Sequence, residues 1–447
     1  MIFKRKIYDR IREWKEDSNG KTALLLEGAK CVGKSTIVEE FAKNEYESYI
    51  LIDFSLASKT TKDLFEDISD LNYLFLQLQL QYRVDLIERK SCIIFDEVQF
   101  CPKARQAIKA LVKDHRYDYI ETGSLISIKK NVKDILIPSE ERKLEMYPMD
   151  YEEFRWALGD YTTISLLESV YEKKQKLGDE TNRRLMRDFR LYILIGGMPQ
   201  AVNEYLDTNN LRKVDAVKRD ILSLYEDDFR KIDTTGRLSM IFDAIPAQLN
   251  KHVSCFQTKK MIDSKRASDQ TILSLLSELK ESKTVLVAYH ADNPGVGLSA
   301  YQNLNKFKLY LADTGLFVTL MFKDRDFTEN MIYEKLLNNK LSTNLGYVFE
   351  NAVAQILTAS GNKLFYYTFY NEVSHRNYEI DFILAMKNKI CPIEVKSSAY
   401  KTHASLDMFY EKYSSQIIQR IILHTKDFSK DKDIYCYPIY MTPFLGK

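Results

Sequence analysis

The stretch Gly28-Ala29-Lys30-Cys31-Val32-Gly33-Lys34-Ser35 decides the fold of the N-terminal third of the chain. It follows a short apolar run at 23–27 and is continued by Thr36 and a helix-like segment, so it lies between a strand and a helix. This spacing predicts a loop whose backbone N–H groups surround phosphate oxygens, with residues 28–36 as nucleotide contacts. Lys34 then reaches the β- and γ-phosphates, and the Ser35 hydroxyl is a ligand for Mg²⁺.

The second half of such a site is an apolar strand that ends in acidic residues. The run Ser91-Cys92-Ile93-Ile94-Phe95 leads directly into Asp96 and Glu97. Asp96 is therefore a candidate ligand for Mg²⁺, and Glu97 is the candidate general base that polarises the attacking water.

A third strand is predicted at Tyr117-Asp118-Tyr119-Ile120. Either Thr122 or Ser124, just after it, can sense the γ-phosphate, and Ser124 is the candidate nucleotide contact; the alternative is an ordinary turn at the end of the strand. Strands that alternate with helices predict an α/β fold with a parallel sheet and a ligand at the carboxyl ends of the strands. The expected cofactors are ATP and Mg²⁺.

Composition limits the remaining classes of protein. The chain has 447 residues, of which 45% are hydrophobic, and this excludes disordered, collagen-like and coiled-coil proteins. Its 65 Lys and Arg against 63 Asp and Glu give no argument for nucleic-acid binding from bulk charge, although a local basic surface stays open. No apolar run reaches the length of a membrane span, no secretory signal is expected, and the six cysteines form no CxxC pair. A cytoplasmic protein with no membrane partner is expected.

Several segments resemble a family of prokaryotic AAA-type P-loop ATPases in which the ATPase is fused to a C-terminal domain of unknown function. They are Gly28–Thr36, Phe95-Asp96-Glu97-Val98-Gln99, Thr122-Gly123-Ser124, Glu141-Arg142 and Tyr147–Phe154. The resemblance covers nearly the whole chain and implies Mg²⁺-dependent ATP hydrolysis. One departure is Lys30, where Arg is commoner in the family.

Arg142 is a candidate for stabilising the γ-phosphate charge, either in its own subunit or from a neighbouring one, which would require self-association. Three other arginines compete for this role: Arg155, Arg187 and Arg190.

Residues 161–235 have the apolar spacing of a helical lid. The turn Gly196-Gly197-Met198-Pro199 interrupts it and resembles the GxP element of related signalling ATPases, whose proline packs against the nucleotide. Pro199 is thus a candidate nucleotide contact. The alternative is a turn between helices with no ligand contact.

Residues 236–322 predict a winged-helix-like middle module, because two helical segments precede two strands. Four basic residues near the predicted turn are candidates for contacting DNA phosphates: Lys259, Lys260, Lys265 and Arg266. Packing or a contact with a protein partner is the alternative function of such a module.

The C-terminal segment 323–447 contains a predicted hairpin of strands Tyr378–Leu384 and Ile390–Lys396. Side chains alternate along strands, so Glu394 and Lys396 point to one face and can meet Asp381 at one end of the sheet. Two carboxylates and the Val395 carbonyl suit Mg²⁺ or Mn²⁺, and a nearby lysine can position or activate water.

This pattern resembles the PD-(D/E)xK nuclease superfamily, and Glu350 on the preceding helix matches an extra acid in many of its members. The resemblance implies a restriction-endonuclease-like fold, metal ligands Glu350, Asp381 and Glu394, and catalytic Lys396.

The expected architecture is an ATPase core at 1–160, followed by the lid, the middle module and this domain. ATP hydrolysis would be coupled to DNA cleavage; the alternative is a nucleotide-dependent regulatory switch, or an ATPase that binds proteins, with a silent nuclease fold.

Overall fold

The computed structural model describes residues 2–123, 138–251, 255–256, 269–324, 328, 330–338, 346–372, 375–397 and 401–446. It divides into two compact units, Met1–Tyr147 with Glu281–Lys283, and Pro148–Lys280 with Thr284–Lys447. The first unit ends before residue 160, the expected end of the N-terminal core. The second contains the segments expected as lid, middle module and C-terminal domain, whose separate bounds stay predictions.

The first unit alternates strands and helices, as the sequence predicts. Its strands are β1 (Ala23–Glu27), β2 (Ser48–Asp53), β3 (Ser91–Asp96), β4 (Asp118–Gly123) and β5 (Glu141–Glu145). Its helices are α1 (Lys6–Ser18), α2 (Lys34–Glu45), α3 (Lys59–Asp63), α4 (Leu71–Tyr82) and α5 (Pro102–Asp114).

The five strands form one parallel sheet in the order β2-β3-β4-β1-β5. β1, β3 and β4 are buried along their whole length, which explains why the apolar runs of β1 and β3 are continuous rather than alternating. Phe54, Phe65 and Phe95 pack edge to face on one side of the sheet with ring centroids 5.4–5.6 Å apart. Because all strands run the same way, the ends of β1, β3 and β4 meet at one edge.

The second unit begins with helices and continues with two sheets. Its helices are α6 (Tyr151–Ala157), α7 (Thr163–Glu172), α8 (Asp179–Ile195), α9 (Pro199–Thr208), α10 (Leu211–Ile232), α11 (Arg237–Asp243), α12 (Ile245–Asn250), α13 (Asp269–Glu281, whose last residue belongs to the first unit), α14 (Thr314–Met321), α15 (Asn330–Leu337), α16 (Gly346–Ala359) and α17 (Ala404–Tyr413). Its strands are β6 (Val285–Ala291), β7 (Gln302–Leu311), β8 (Phe365–Asn371), β9 (Arg376–Ile380), β10 (Phe382–Met386), β11 (Lys389–Lys396), β12 (Arg420–His424), β13 (Ser429–Asp431) and β14 (Ile434–Pro438).

One sheet has the order β7-β6-β8-β9 and the other the order β10-β11-β12-β14-β13. β6 pairs antiparallel with β7 and parallel with β8. The two strands expected in the middle module therefore share a sheet with strands from beyond residue 322, and that predicted boundary falls within one hydrogen-bonded sheet. The four basic residues of the predicted turn lie outside the described residues.

The predicted strand Tyr378–Leu384 is wrong as a single element. It breaks at Asp381 into β9, which pairs with β8, and β10, which pairs with β11. The aspartate side chain accepts a hydrogen bond from the Val395 amide at 2.7 Å, which holds the chain where it passes from one sheet to the other. The predicted hairpin of β10 and β11 is confirmed, and Lys387 in its turn has a left-handed backbone with φ 54°.

None of the described helices combines the length and the apolar composition that crossing a bilayer requires.

Candidate functional site

The loop between β1 and α2 has the backbone shape that its glycines permit. Gly33 has φ 96°, a left-handed conformation that is easy only for glycine, and it caps the start of α2. A side chain at Gly28 would place its Cβ 2.4 Å from the Met146 carbonyl oxygen. Both glycines are therefore required by the structure of the loop itself.

Lys34 is buried at the start of α2, and its ammonium lies inside the loop. Its Nζ donates to the Gly28 carbonyl at 3.0 Å and to the Ala29 carbonyl at 2.9 Å. Burial lowers the pKa of Lys34, while the charges of Glu97 and Asp96 oppose that shift. The ammonium is thus held by weak neutral acceptors at the position where the motif requires a phosphate contact.

The end of β3 meets this loop through Asp96. The Ser35 hydroxyl donates to Asp96 Oδ1 at 2.8 Å, and the Thr122 hydroxyl, at the end of β4, donates to the same oxygen. The amide of Glu97 donates to Thr122 Oγ1 at 3.3 Å. Of the two sensor candidates, Thr122 therefore contacts both acidic positions of the motif, and Ser124 lies outside the described residues.

Glu97 follows β3 with a left-handed backbone, φ 51°, which is unusual for a residue with a side chain. The side-chain amide of Gln99 donates to Glu97 Oε2. A strained backbone at the end of a buried strand, with a carboxylate held by one amide, is typical of a residue placed for chemistry.

Within the first unit, Arg142 makes its ion pair away from the phosphate-binding loop. It lies on the edge strand β5 opposite Leu24, its side chain is exposed, and its guanidinium is 3.3 Å from Asp17 Oδ2. A role toward the nucleotide of a neighbouring subunit stays a prediction.

Sequence reasoning missed Arg5. Its buried guanidinium donates to the Val32 carbonyl at 2.9 Å and to the Tyr147 carbonyl at 2.7 Å, so it clamps the phosphate-binding loop from outside. No local pattern marks this residue, because it lies 27 positions before its partner in the loop.

A second candidate site lies in the second unit, at the point where β9 ends. Oxygen atoms of Glu350 on α16, Glu379 on β9 and Asp381 all lie within 4.8 Å of one another. Desolvation, and then the charges of Glu350 and Glu379, raise the pKa of Asp381 well above its usual value. We call these three residues the carboxylate cluster.

Two residues of β7 reach the carboxylate cluster. Lys308 Nζ lies 3.3 Å from Glu350 Oε1 and also contacts Glu379 Oε1, and the Tyr310 hydroxyl donates to Glu350 Oε1. Burial alone would lower the pKa of Lys308, but the charges of Glu350 and Glu379 outweigh it and raise the pKa. Lys308 could not be recognised from the local motif, because it lies on β7, 71 residues before Glu379.

Glu394 and Lys396 point to the same face of β11, as the alternation of strand side chains predicts. Continuing the register of Phe382 with Ile393 places Asp381 opposite Glu394. Lys396 Nζ lies 2.9 Å from Glu394 Oε2, while the buried Oε1 accepts no hydrogen bond from any described residue. Glu394 is not part of the carboxylate cluster, in which Glu379 stands beside the predicted Glu350 and Asp381.

Comparison with known families decides the class of the first unit. Residues 20–155 match a family model described as an AAA domain. This segment is an AAA domain. The loop at Gly28–Ser35, Asp96, Glu97 and Thr122 all lie within it, so the expected AAA-type P-loop ATPase is confirmed for this segment.

Beyond the AAA domain, two further family models match the chain. Residues 186–326 and 345–441 match models that are each described as a domain of unknown function, DUF8612 and DUF4143. The second match agrees with the expected C-terminal fusion and assigns no nuclease activity to it. No curated protein matches the chain in sequence.

Solved structures resemble the chain weakly. The Walker-type ATPase PABY2304 of Pyrococcus abyssi is 16% identical, with a TM-score of 0.44, over 72% of this chain and 96% of that one. CDC6P from Pyrobaculum aerophilum is 13% identical, with a TM-score of 0.25, over 75% of this chain and 94% of that one. Similarities this weak do not identify a function.

Pro199 belongs to the second unit and is the first residue of α9. The turn before it is held inside that unit, since the Gly197 amide donates to Asp313 Oδ2 and the Gly197 carbonyl accepts from the Met149 amide at 2.7 Å. These contacts give the glycine turn a packing role, while contact of Pro199 with a nucleotide in the AAA domain stays a prediction. The competing arginines also belong to the second unit, where Arg155 pairs with Asp188 at 2.7 Å.

Proposed function

We propose that the AAA domain binds and hydrolyses ATP with Mg²⁺ at the end of β1 and β3. The observation that carries this proposal is the convergence of the Ser35 and Thr122 hydroxyls on Asp96 Oδ1. Hydroxyl and carboxylate oxygens from Ser35 and Asp96 fit Mg²⁺, which, when bound, neutralises charge on the phosphates.

The other residues of the AAA domain have separate roles in this reaction. Lys34 exchanges its two carbonyl acceptors for phosphate oxygens, which bind an ammonium more strongly than neutral carbonyls do. Glu97 accepts the proton of the attacking water, and the Gln99 amide keeps its carboxylate oriented until then.

Phosphate release from ATP, measured with Mg²⁺ and after chelation, tests this proposal. Wild-type protein should release phosphate only with the metal, and Asp96→Asn should lose most of that activity. Equal turnover by Asp96→Asn, or turnover that survives chelation, would contradict the assignment.

We further propose that the C-terminal segment is a metal-dependent nuclease acting on DNA, and that the nucleotide state of the AAA domain controls it. The carboxylate cluster, with Glu394 and Lys396 on the neighbouring strand, supports this function. The Val395 amide orients Asp381, and the Lys396 ammonium, 2.9 Å from Glu394, is placed to position a water molecule. The oxygens of the cluster suit Mg²⁺ or Mn²⁺, which, when bound, would neutralise the scissile phosphate.

Cleavage of single-stranded and double-stranded DNA and of RNA, with Mg²⁺ or Mn²⁺ and with or without ATP, tests this second proposal. Wild-type protein should cut DNA, and Asp381→Ala should not. Asp207→Ala, which changes an exposed aspartate on α9, is the matched control and should cut normally. Absence of any cleavage above the Asp381→Ala background would sink the nuclease proposal.

One observation favours a second candidate function, a nucleotide-dependent regulatory switch with a silent nuclease fold. The Lys308 ammonium contacts two carboxylates of the cluster and so occupies space that a metal ion needs. A switch predicts that ATP changes amide hydrogen exchange at the described residues of 190–320 in a chain that cuts no nucleic acid. Unchanged exchange there would argue against it.

A further inference from the structure

Lys308 is the one lysine that this structure, as far as it is described, shows in contact with the carboxylate cluster. It lies on β7, in a different part of the sequence from the ligand motif. Its side chain is 6% exposed and its ammonium lies 5.4 Å from the centre of the Tyr366 ring. The aromatic face and the protein around the stem guide the ammonium toward the acids.

The ammonium contacts two of the carboxylates that a metal at the cluster would use. Lys308 Nζ lies 3.3 Å from Glu350 Oε1 and also contacts Glu379 Oε1. Both oxygens belong to residues of the carboxylate cluster. An ion at the centre of three oxygens that lie within 4.8 Å of one another would stand next to the ammonium, and the two positive charges would repel each other strongly.

The single positive charge of Lys308 does not balance the acidic side chains at this site. Lys308 contacts two of the three acids of the cluster, and the buried Oε1 of the nearby Glu394 accepts no hydrogen bond from the described residues. Buried carboxylate oxygens are normally paired or bound to a metal, so the site retains capacity for a second cation of higher charge.

We propose that Lys308 is a built-in counter-ion of the carboxylate cluster and that a divalent cation enters only when the lysine side chain leaves Glu350 and Glu379. Lysine suits this role because it is a single point charge on a flexible four-carbon stem and can swing away without breaking a bidentate pair. This inference rests on the proposed metal site and adds an internal competitor to it.

Titration of the full-length chain with Mn²⁺ tests the proposal. Binding is measured as the decrease of the free-ion signal in electron paramagnetic resonance. The Asp381→Asn substitution is added to wild type and to each lysine variant. The Mn²⁺ binding that it removes is the binding that belongs to the cluster. Lys308→Met should bind Mn²⁺ at least about tenfold more tightly than wild type, because a neighbouring positive charge is gone. Lys308→Arg should remain weak, and Lys306→Met, on the same strand but exposed, should match wild type.

The possible outcomes distinguish a failure of the proposed role of Lys308 from a failure of the proposed metal site. Equal, Asp381-dependent affinity in wild type and Lys308→Met would overturn the role of Lys308 and leave the metal site standing. Absence of Asp381-dependent binding in both proteins would overturn the metal site as well.

A measurement on wild-type protein covers the case in which Lys308→Met does not fold. Acetylation of Lys308 by an amine reagent, quantified by mass spectrometry, should increase when Mn²⁺ is added and should not increase in Asp381→Asn. Asp381-dependent binding of Mn²⁺ without any change in Lys308 acetylation would overturn the proposal.

Discussion

The hydroxyl of Ser35 donates a 2.8 Å hydrogen bond to Asp96 Oδ1, although 61 residues separate the two in the chain. The bond joins the phosphate-binding loop to the end of β3, which are the two halves of the nucleotide site. It exists because β1 and β3 are both parallel strands of one sheet and end at the same edge. The predictions for the AAA domain follow from this junction.

Lys34→Ala should severely weaken ATP binding. The variant loses the ammonium that the loop holds for the phosphates, and the loss of charge-assisted hydrogen bonds should weaken binding by about a hundredfold or more. Titration with a fluorescent ATP analogue measures the change. Lys43→Ala removes an exposed lysine of the same helix and should bind like wild type; normal binding by Lys34→Ala would refute the site.

Glu97→Gln should bind ATP but turn it over about 10²–10⁴-fold more slowly, because the amide cannot accept a proton from water. The affinity should survive, since Lys34 and the loop are unchanged. Parallel binding and phosphate-release assays distinguish the two effects. Glu66→Gln, at an exposed position of the same unit, should leave both unchanged, and retained turnover in Glu97→Gln would move the catalytic role elsewhere.

Gly197→Ala should destabilise the second unit. A Cβ atom there would lie 2.1 Å from the Met149 carbonyl oxygen and 2.6 Å from its amide nitrogen, and backbone atoms cannot yield as a flexible side chain can. We expect a loss of roughly 3 kcal/mol in the free energy of unfolding, measured by urea denaturation.

Gly159→Ala is the control for this change. That glycine has φ +83° with nothing within 4 Å of an added Cβ, so only backbone strain of roughly 1 kcal/mol is expected. Equal losses in the two variants would show that the close approach at Gly197 has no energetic weight.

His424 should make the second unit less stable in mild acid. Burial lowers the pKa of this histidine from 6.5 to about 4. Between these pH values the histidine is protonated in the unfolded chain but neutral in the folded chain. The unfolded state then binds more protons, and stability falls as the pH drops from 6.5 toward 4. Between pH 7 and pH 5, His424 should account for a loss of about 2 kcal/mol in the free energy of unfolding.

Urea unfolding of wild type and His424→Gln at pH 7 and pH 5 measures that share. Glutamine keeps an acceptor for the Lys426 amide, which donates to His424 Nδ1 at 3.1 Å, and it does not titrate. The loss of stability on acidification should be about 2 kcal/mol smaller in the variant. An identical loss in both proteins would assign the acid sensitivity to other groups.

The sequence alone determined the features that depend on residues close together in the chain. The phosphate-binding loop, the acids after β3, and the hairpin that carries Glu394 and Lys396 are each contiguous, and local backbone rules are enough to predict them. The predicted strand through Asp381 failed because its apolar alternation continues across a point where the chain changes sheets, and alternation does not record which strand is the partner.

Only the tertiary structure decided which distant side chains meet. Strand pairing brings Thr122 to Asp96, and the folded loop brings Val32 to Arg5. The packing of a helix and a strand beside β7 brings Lys308 to acids that lie 42 and 71 residues further along the chain. The physical reason is that sheet order and register are set by burial over whole strands, whereas no short stretch of sequence contains both partners of these contacts. The local motifs thus specified the groups available for chemistry, and the fold specified their neighbours.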